Sequence, residues 1–572
     1  MAARVRVTTN NDIAYLWWSV AAKIPGCLGF SIHRQARGQP AEALKAWVGF
    51  ERGLKTTRSR NTDAWPIQSF QWKDVYAPRE GSFRYHIYAV GGTPATPVRD
   101  ERPILTTAYV ALEEQLGKLR VVFNRGLIAT QAMNRGSHAP AANAEALRRA
   151  IGEPGNRVRR RLAKELLPTI TELHARARDS GGVCYSALYE LSDGELIQRL
   201  QDSPGAEVVL SNADSTRQVD GKDVPVPDGT NLDARAALRA DPDCHVSDRM
   251  LGSGHIGHNK FVVYEDPQRA LTTVLTGSTN WTPTGLCGQT NNAVLIEDPT
   301  IAEHYHRYWK KLRDEQVTLQ GTELRTWARE NPAEVSLGRG EGTLKVWFSP
   351  NTVHRTKSAN EIPVDMAELF TLIEGARKAV LFLLFNPGSP SIIDKIKLVA
   401  TARSEADTPL YVRGAISDPR AAAAGAVKVF SRSATRADTI ITGVAGVPDD
   451  FGYWERELLK LGHAVIHDKV LVIDPFSANS VVVTGSHNLG YKASFANDEN
   501  MLIIRRNRRV AAAYATHVLD VVNHYRWRYK LQGLHREGRM AEAWQDLADD
   551  DAWQDKYFDS GFLASRDRFV LG

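Results

Sequence analysis

One order of apolar strands and amphipathic helices runs twice between residues 105 and 530, and this repeat restricts the chain to folds built from two similar lobes. In the first copy, residues 119–124, 183–188, 208–211, 258–264, 273–280 and 292–297 read as strands. A helical region spans the 160s and 170s, and a helix covers 301–312. The second copy repeats this as a strand at 344–349, a helix over 364–377, strands at 380–385, 410–416, 467–473, 480–488 and 500–505, and a helix over 510–525. Buried strands alternating with helices point to an α/β fold of mixed sheets sandwiched by helices. A duplicated sheet domain sets equivalent elements face to face about a pseudo-twofold axis, so one cleft between the lobes is the expected site. The stretches 214–243 and 432–454 occupy matching places and read as loops at its rim.

Residues 1–100 have a different character. Short alternating or aromatic-rich runs at 4–9, 13–18, 28–34, 67–72 and 83–90, separated by Gly, Pro and Asn, predict a small all-β sandwich. With Trp18 and Trp72 as candidate core residues, it resembles a fibronectin III or immunoglobulin-like module. Residues 93–103, with three prolines, read as the linker. The expected organisation is therefore a sandwich at 1–100, lobes at 105–335 and 336–532, and a polar tail at 533–572 that docks as short helices.

The chemistry sits at one place in each repeat. His258-Asn259-Lys260 is followed by Gly277-Ser278-Thr279-Asn280, and His467-Asp468-Lys469 by Gly485-Ser486-His487-Asn488. In an extended chain, residues two apart project to one side, so each strand presents an imidazole beside an ammonium. Ser278, Asn280, Ser486 and Asn488 are then expected to hold the non-bridging oxygens of a phosphate. Two imidazoles, two ammoniums and two amides suit a phosphodiester, an anion that gains charge density when attacked.

On these paired HxK…GSxN motifs the chain resembles the phospholipase D superfamily. The resemblance implies phosphodiester chemistry with no metal or other cofactor, through a phosphohistidine intermediate. It also implies a structural acid after each motif: Asp474 in the second copy, and Glu265 or its neighbour Asp266 in the first. Strand parity favours Glu265, whereas the shared Asp-Pro turn favours Asp266. In the family, a residue downstream of GSxN orients the imidazole of its own motif, and the matching positions are Asn291 and Glu499. On that pairing Glu499 would keep His467 protonated and Asn291 would leave His258 readily neutral. His258 is then the nucleophile, and His467 is the general acid and later the base. Tyrosyl-DNA phosphodiesterases are similar, with an amide on the first motif and a carboxylate on the second.

Composition adds limits. The four scattered cysteines form no CxxC or Cys/His cluster, so neither a zinc site nor a disulfide framework is indicated, which fits a reducing compartment. No signal-peptide pattern opens the chain and no long apolar stretch interrupts it, so the expected location is the cytoplasm, with export by a route that needs no cleavable signal left open. A formal charge of +6 in 572 residues is a mild excess. The candidate substrates are a phospholipid at a membrane surface, favoured here for the single-chain architecture, and a nucleic acid contacted by the runs at 157–161 and 505–509. A silent phosphate-binding protein is the third reading. An internal pseudo-dimer makes a monomer sufficient for activity, and the sandwich either recruits a partner or packs on the lobes.

Overall fold

The computed structural model describes residues 3–50, 59–125, 144–212, 215–226, 229, 231–252, 254–315, 322–357, 360–406, 408–417, 439–443, 466–538, 546–558, 566 and 569–570. Two eight-stranded mixed sheets share one strand order. In the first lobe it is Gln115–Leu116, Leu119–Phe123, Asn292–Ile296, Leu271–Gly277, Lys260–Glu265, Val183–Leu188, Ala206–Asn212 and Cys244–Met250. In the second it is Ala333–Gly338, Gly342–Ser349, Glu499–Arg505, Val481–Gly485, Lys469–Ile473, Ala379–Leu384, Tyr411–Ile416 and Thr439–Gly443. The duplication read from the sequence is thus a duplication of topology.

Alternation along the strands sorts the core into layers. Val121, Phe261, Val263 and Val294 of the first sheet and Leu381, Leu383, Val470 and Val472 of the second belong to one shared interior. Between the sheets it includes the helices Pro299–Asp314 and Arg508–Arg536. Residues of opposite parity, such as Val262 and Tyr264, face an outer cluster with Leu166–Ser180 and Gly194–Gln201. Val380 and Phe382 do the same against Val364–Glu374 and Ile392–Glu405. The helix Pro299–Asp314 starts where sequence rules predict. Asp298 accepts from the backbone of Thr300 and Ile301, and proline stands in its first turn.

Three expectations need correction. Residues 93–103 do not form a linker: Thr96–Arg99 folds back on the strand Phe83–Thr93, and Leu105–Thr106 extends the same sheet. Pro97 lies in the short strand Thr96–Arg99, paired on one side only, where a missing N–H is tolerated. The segment 214–243 is not simple loop, since Ser215–Val219 and Lys222–Val226 pair as a hairpin and a helix covers Leu232–Arg239. In 432–454 the described residues form the edge strand Thr439–Gly443, and the rest lies outside the described residues.

The N-terminal region is all-β, with a sheet Arg4–Thr9, Ala14–Ser19, Gln71–Asp74 opposing a larger one built on Gly29–Ala36 and Phe83–Thr93. Trp18 is fully buried and Trp72 partly so. The last helix runs to Arg536, through the expected boundary at 533. Beyond it, Trp553 packs edge-on against Phe30 and donates to the carbonyl of Cys27 at 2.8 Å. Arg566, also buried, donates to the carbonyls of Phe70 at 2.8 Å and Trp18 at 2.6 Å. The tail therefore enters the core of the sandwich. No helix among the described residues is long and apolar enough to cross a membrane.

Candidate active site

Both HxK strands begin at their lysine, so His258 and His467 stand just before the ladders, where the two lobes meet. Their ring centroids are 6.4 Å apart. Lys260 and Lys469 each turn back to donate to the carbonyl of the histidine two residues earlier, at 2.7 Å in both lobes. The arrangement holds all four side chains in one buried cleft.

The partners of the imidazoles are crossed between lobes. Nδ1 of His258 lies 2.7 Å from Oε2 of Glu499, and Nδ1 of His467 lies 3.0 Å from Oδ1 of Asn291 and 3.0 Å from the carbonyl of Ser278. Glu499 therefore orients the first-motif histidine and Asn291 the second, the reverse of the sequence expectation. The cause is the pseudo-twofold packing, which places the entry of each late strand over the other lobe's histidine. The next residues repeat the exchange: Asn500 donates to Asn259 at 3.0 Å, and Asn292 to Asp468 at 2.7 Å. Backbone bonds fix it, from Asp498 N–H to Ile256 and from His467 N–H to Thr290. With both Nδ1 atoms acting as donors, the Nε2 atoms are left toward the cleft, that of His467 hydrogen-bonded to Lys469 Nζ at 3.1 Å.

Ser278 and Ser486 do not face the cleft. Ser278 donates to Asn291 at 2.8 Å and accepts from the backbone of Asn292, and Ser486 accepts from that of Asn500. They brace the orienting residues rather than offer donors to a phosphate. Asn280 donates to Glu190, and the side-chain carbonyls of Asn280 and Asn488 are buried without a hydrogen-bond partner. Strand pairing settles the motif acid: Glu265 pairs with Val183 at the ladder position that Asp474 holds against Ala379. Asp474 accepts from the backbone of Arg377, Lys378 and Ala379 at 2.7–2.8 Å. Glu265 accepts from Arg269 and Tyr185, and Asp266 ties its own turn.

Burial dominates the electrostatics. It holds both histidines well below the usual imidazole range, and the neighbouring lysines push them further down. Lys260 is lowered to about 7, chiefly by burial, and Lys469 is lowered well below its ordinary value by burial and by Lys260. Burial raises Glu499 to about 7. A cleft that so penalises its own cations gains when an anion enters and neutralises them.

Sequence reading missed the ring under each pair. Tyr189 lies 4.9 Å from the His258 ring and 4.9 Å from Lys260 Nζ, and Phe385 lies 5.0 Å from the His467 ring and 5.2 Å from Lys469 Nζ. Each directly follows the strand beside the HxK strand, so aligning the repeats would have found them. Glu190 has no matching acid, since its counterpart is Asn386.

Among solved structures the chain is similar to phosphatidylserine synthase of Haemophilus influenzae, at 12% identity and TM-score 0.43 over 67% of this chain and 92% of that one. It is also similar to Nuc of Salmonella typhimurium, a phospholipase D family member, at 17% identity and TM-score 0.21 over 34% of this chain and 96% of that one. Yeast tyrosyl-DNA phosphodiesterase 1 matches at 10% identity and TM-score 0.32, over 57% of this chain and 83% of that one. No curated protein matches the sequence. The family model described as cardiolipin synthase, PLD-like domain, matches residues 209–313 and 451–520. The two regions that resemble this phospholipase D-like domain hold one histidine motif each, His258-Asn259-Lys260 and His467-Asp468-Lys469.

Proposed function

We propose that the protein is a phosphodiesterase working through a phosphohistidine on His258, and that its substrate is a phospholipid cleaved to phosphatidic acid and a free head group. The observation that carries the reading is the pair of cleft-facing Nε2 atoms, one backed by a carboxylate and the other by an amide and a carbonyl. Attack by His258 Nε2 forms an N–P bond and makes the ring cationic. Glu499, accepting the Nδ1–H, offsets that charge. The leaving oxygen takes a proton from His467 Nε2, and the P–O bond breaks. Water then gives a proton back to His467 and attacks phosphorus, the N–P bond breaks, and the phosphomonoester leaves. The bound phosphate counters the two ammoniums that depress His467, so His467 is protonated when substrate is present.

The crossed partners exchange the argument for these roles while keeping the roles. The charge that most needs a fixed carboxylate is the one created on the nucleophile, whereas the acid-base histidine must release its proton as readily as it takes it. A phospholipid is favoured because the arginine runs expected to meet nucleic acid are partly engaged internally. Arg159 is buried against Asp193, Arg505 pairs with Glu368, and Arg509 with Glu113. Exposed Val353 and Ile362 lie in the segment that follows the strand ending beside Glu499, a suitable apolar rim for a lipid surface.

For the N-terminal region we keep the fibronectin III-like reading, supported by its three strands facing the order Leu105–Thr106, Phe83–Thr93, Gly29–Ala36 and Glu42–Ala43. The test incubates the protein with EDTA and either phosphatidylethanolamine vesicles or single- and double-stranded DNA, with His258→Ala and His467→Ala as controls. Head-group release lost in both variants supports the proposal. DNA cleavage under the same controls replaces the substrate, and turnover of neither overturns the reading.

A further inference from the structure

Arg249 lies in the edge strand Cys244–Met250 of the first lobe, and Asp498 precedes Glu499 in the second. The two are buried, each side chain 3% exposed, and joined by two bonds, Nε to Oδ2 at 2.8 Å and Nη2 to Oδ1 at 3.2 Å. The third arm, Nη1, donates to the carbonyl of Glu315 at 2.7 Å. This fork leaves Arg249 little freedom to turn.

The pair is wired to the imidazole from both ends. Asp498 donates its backbone N–H to Ile256, two residues before His258, and its neighbour Glu499 takes the His258 proton. Gly257 accounts for the other end. Its N–H donates to Ser211 Oγ at 3.2 Å, and an added Cβ would lie 2.8 Å from that oxygen and 3.5 Å from Arg249 Cγ, so the backbone entering His258 is held on Ser211 with the arginine stem next to it. His255 adds a contact to the carbonyl of Ala496, and Asn497 donates to the second oxygen of Glu499. Residues 496–499 and 255–258 thus form one seam, with the arginine fork at its base.

The other half of the site lacks this device. Counting from the orienting residues, the place of Asp498 is taken by Thr290, which is uncharged. The fork therefore belongs to the His258–Glu499 side alone, where the proposed function puts the covalent step.

We infer that Arg249, acting through Asp498, is a positioning residue that fixes Glu499 against His258 and so sets the rate of N–P bond formation. This rests on the proposed function, and its test separates the two. Bis(p-nitrophenyl) phosphate serves as substrate, because its leaving group departs without help from an acid and rate loss then reports on the nucleophile. The variants are Arg249→Met, Arg249→Lys and Asp498→Asn, with Arg566→Met as a control. Arg566 is buried in the N-terminal sandwich, where it donates to the carbonyls of Phe70 and Trp18, away from the seam.

A misplacement of the reacting group by about 1 Å lowers kcat on the order of 100-fold. Arg249→Met and Asp498→Asn are expected to lose about 10–100-fold in kcat with KM unchanged within about twofold, and Arg249→Lys to keep part of the rate. Arg566→Met should lower the melting temperature and leave kcat unchanged. A second readout needs no turnover: the downfield Nδ1–H proton resonance of His258, identified by its loss in His258→Gln, should broaden or vanish in Arg249→Met. Unchanged kcat and an unchanged resonance in folded Arg249→Met overturn the inference. Loss of rate that only tracks loss of stability across all four variants also overturns it. A wild-type protein that cleaves no phosphodiester yet loses the resonance in Arg249→Met overturns the proposed function and leaves the positioning role standing.

Discussion

His258 of the first lobe donates to Glu499 of the second at 2.7 Å, whereas His467 of the second donates to Asn291 of the first at 3.0 Å. Each half of the chemistry is therefore assembled from both halves of the chain, with unlike acceptors behind the two rings.

On the proposed mechanism that difference makes His258 the ring that is phosphorylated. His467→Ala should form the N–P bond with an activated ester and fail to hydrolyse it, leaving an alkali-stable, acid-labile phosphohistidine at position 258 that peptide mapping locates. Glu499→Gln should lower the rate of its formation by about 100-fold or more. Label found on His467 in the matching His258→Ala experiment would reverse the assignment.

The buried lysine makes the site unfavourable for the fold. Lys260 titrates near 7 when folded and near its ordinary value when unfolded. Between those values the unfolded chain binds more protons, so stability rises with pH, and below about 7 the full penalty applies. Lys260→Met should abolish activity while raising the melting temperature by about 2–4 °C near pH 6.5, with the gain fading as pH approaches 10. Thermal scans across that range decide it.

Glu190 raises the pKa of both Lys260 and Lys469. In Glu190→Gln the lysines should lose their protons at lower pH, and the alkaline limb of kcat/KM should move down with them. The acid limb should change little, because both imidazoles are already held well below their usual range by burial. A pH–rate profile of the two proteins is the measurement.

Trp553 fills the sandwich core beside Phe30 and Phe70. Trp553→Ala should cost about 3–5 kcal/mol, read by denaturant unfolding, and the loss should appear first in the fluorescence of the sandwich.

Much of this was legible in the sequence. The strand Val183–Leu188 stands where its apolar pattern put it, because most of its side chains are buried and the pattern has no second solution. His258, Lys260, His467 and Lys469 meet as their repeated spacing required. What was not legible depends on contacts between distant segments. Whether Glu499 serves His467 or His258 is decided by how two sheets pack, and no local spacing carries that. Ser278 looked like a phosphate donor because a hydroxyl beside a glycine is ambiguous until its partners are known. Arg249 looked like any strand arginine, since its carboxylate is in the other lobe.

The insertion of Trp553 and Arg566 beneath Trp18 and Phe70 has a consequence for synthesis. A ribosome adding about 5–20 residues per second makes the sandwich strands before the lobes and supplies those two side chains on the order of 20 to 90 seconds later. Through that interval the sandwich lacks part of its interior, so it closes only after both lobes have been made. A message cut short between the sandwich and Trp553 then yields a product whose sandwich is left open to proteases, whatever the state of its two lobes.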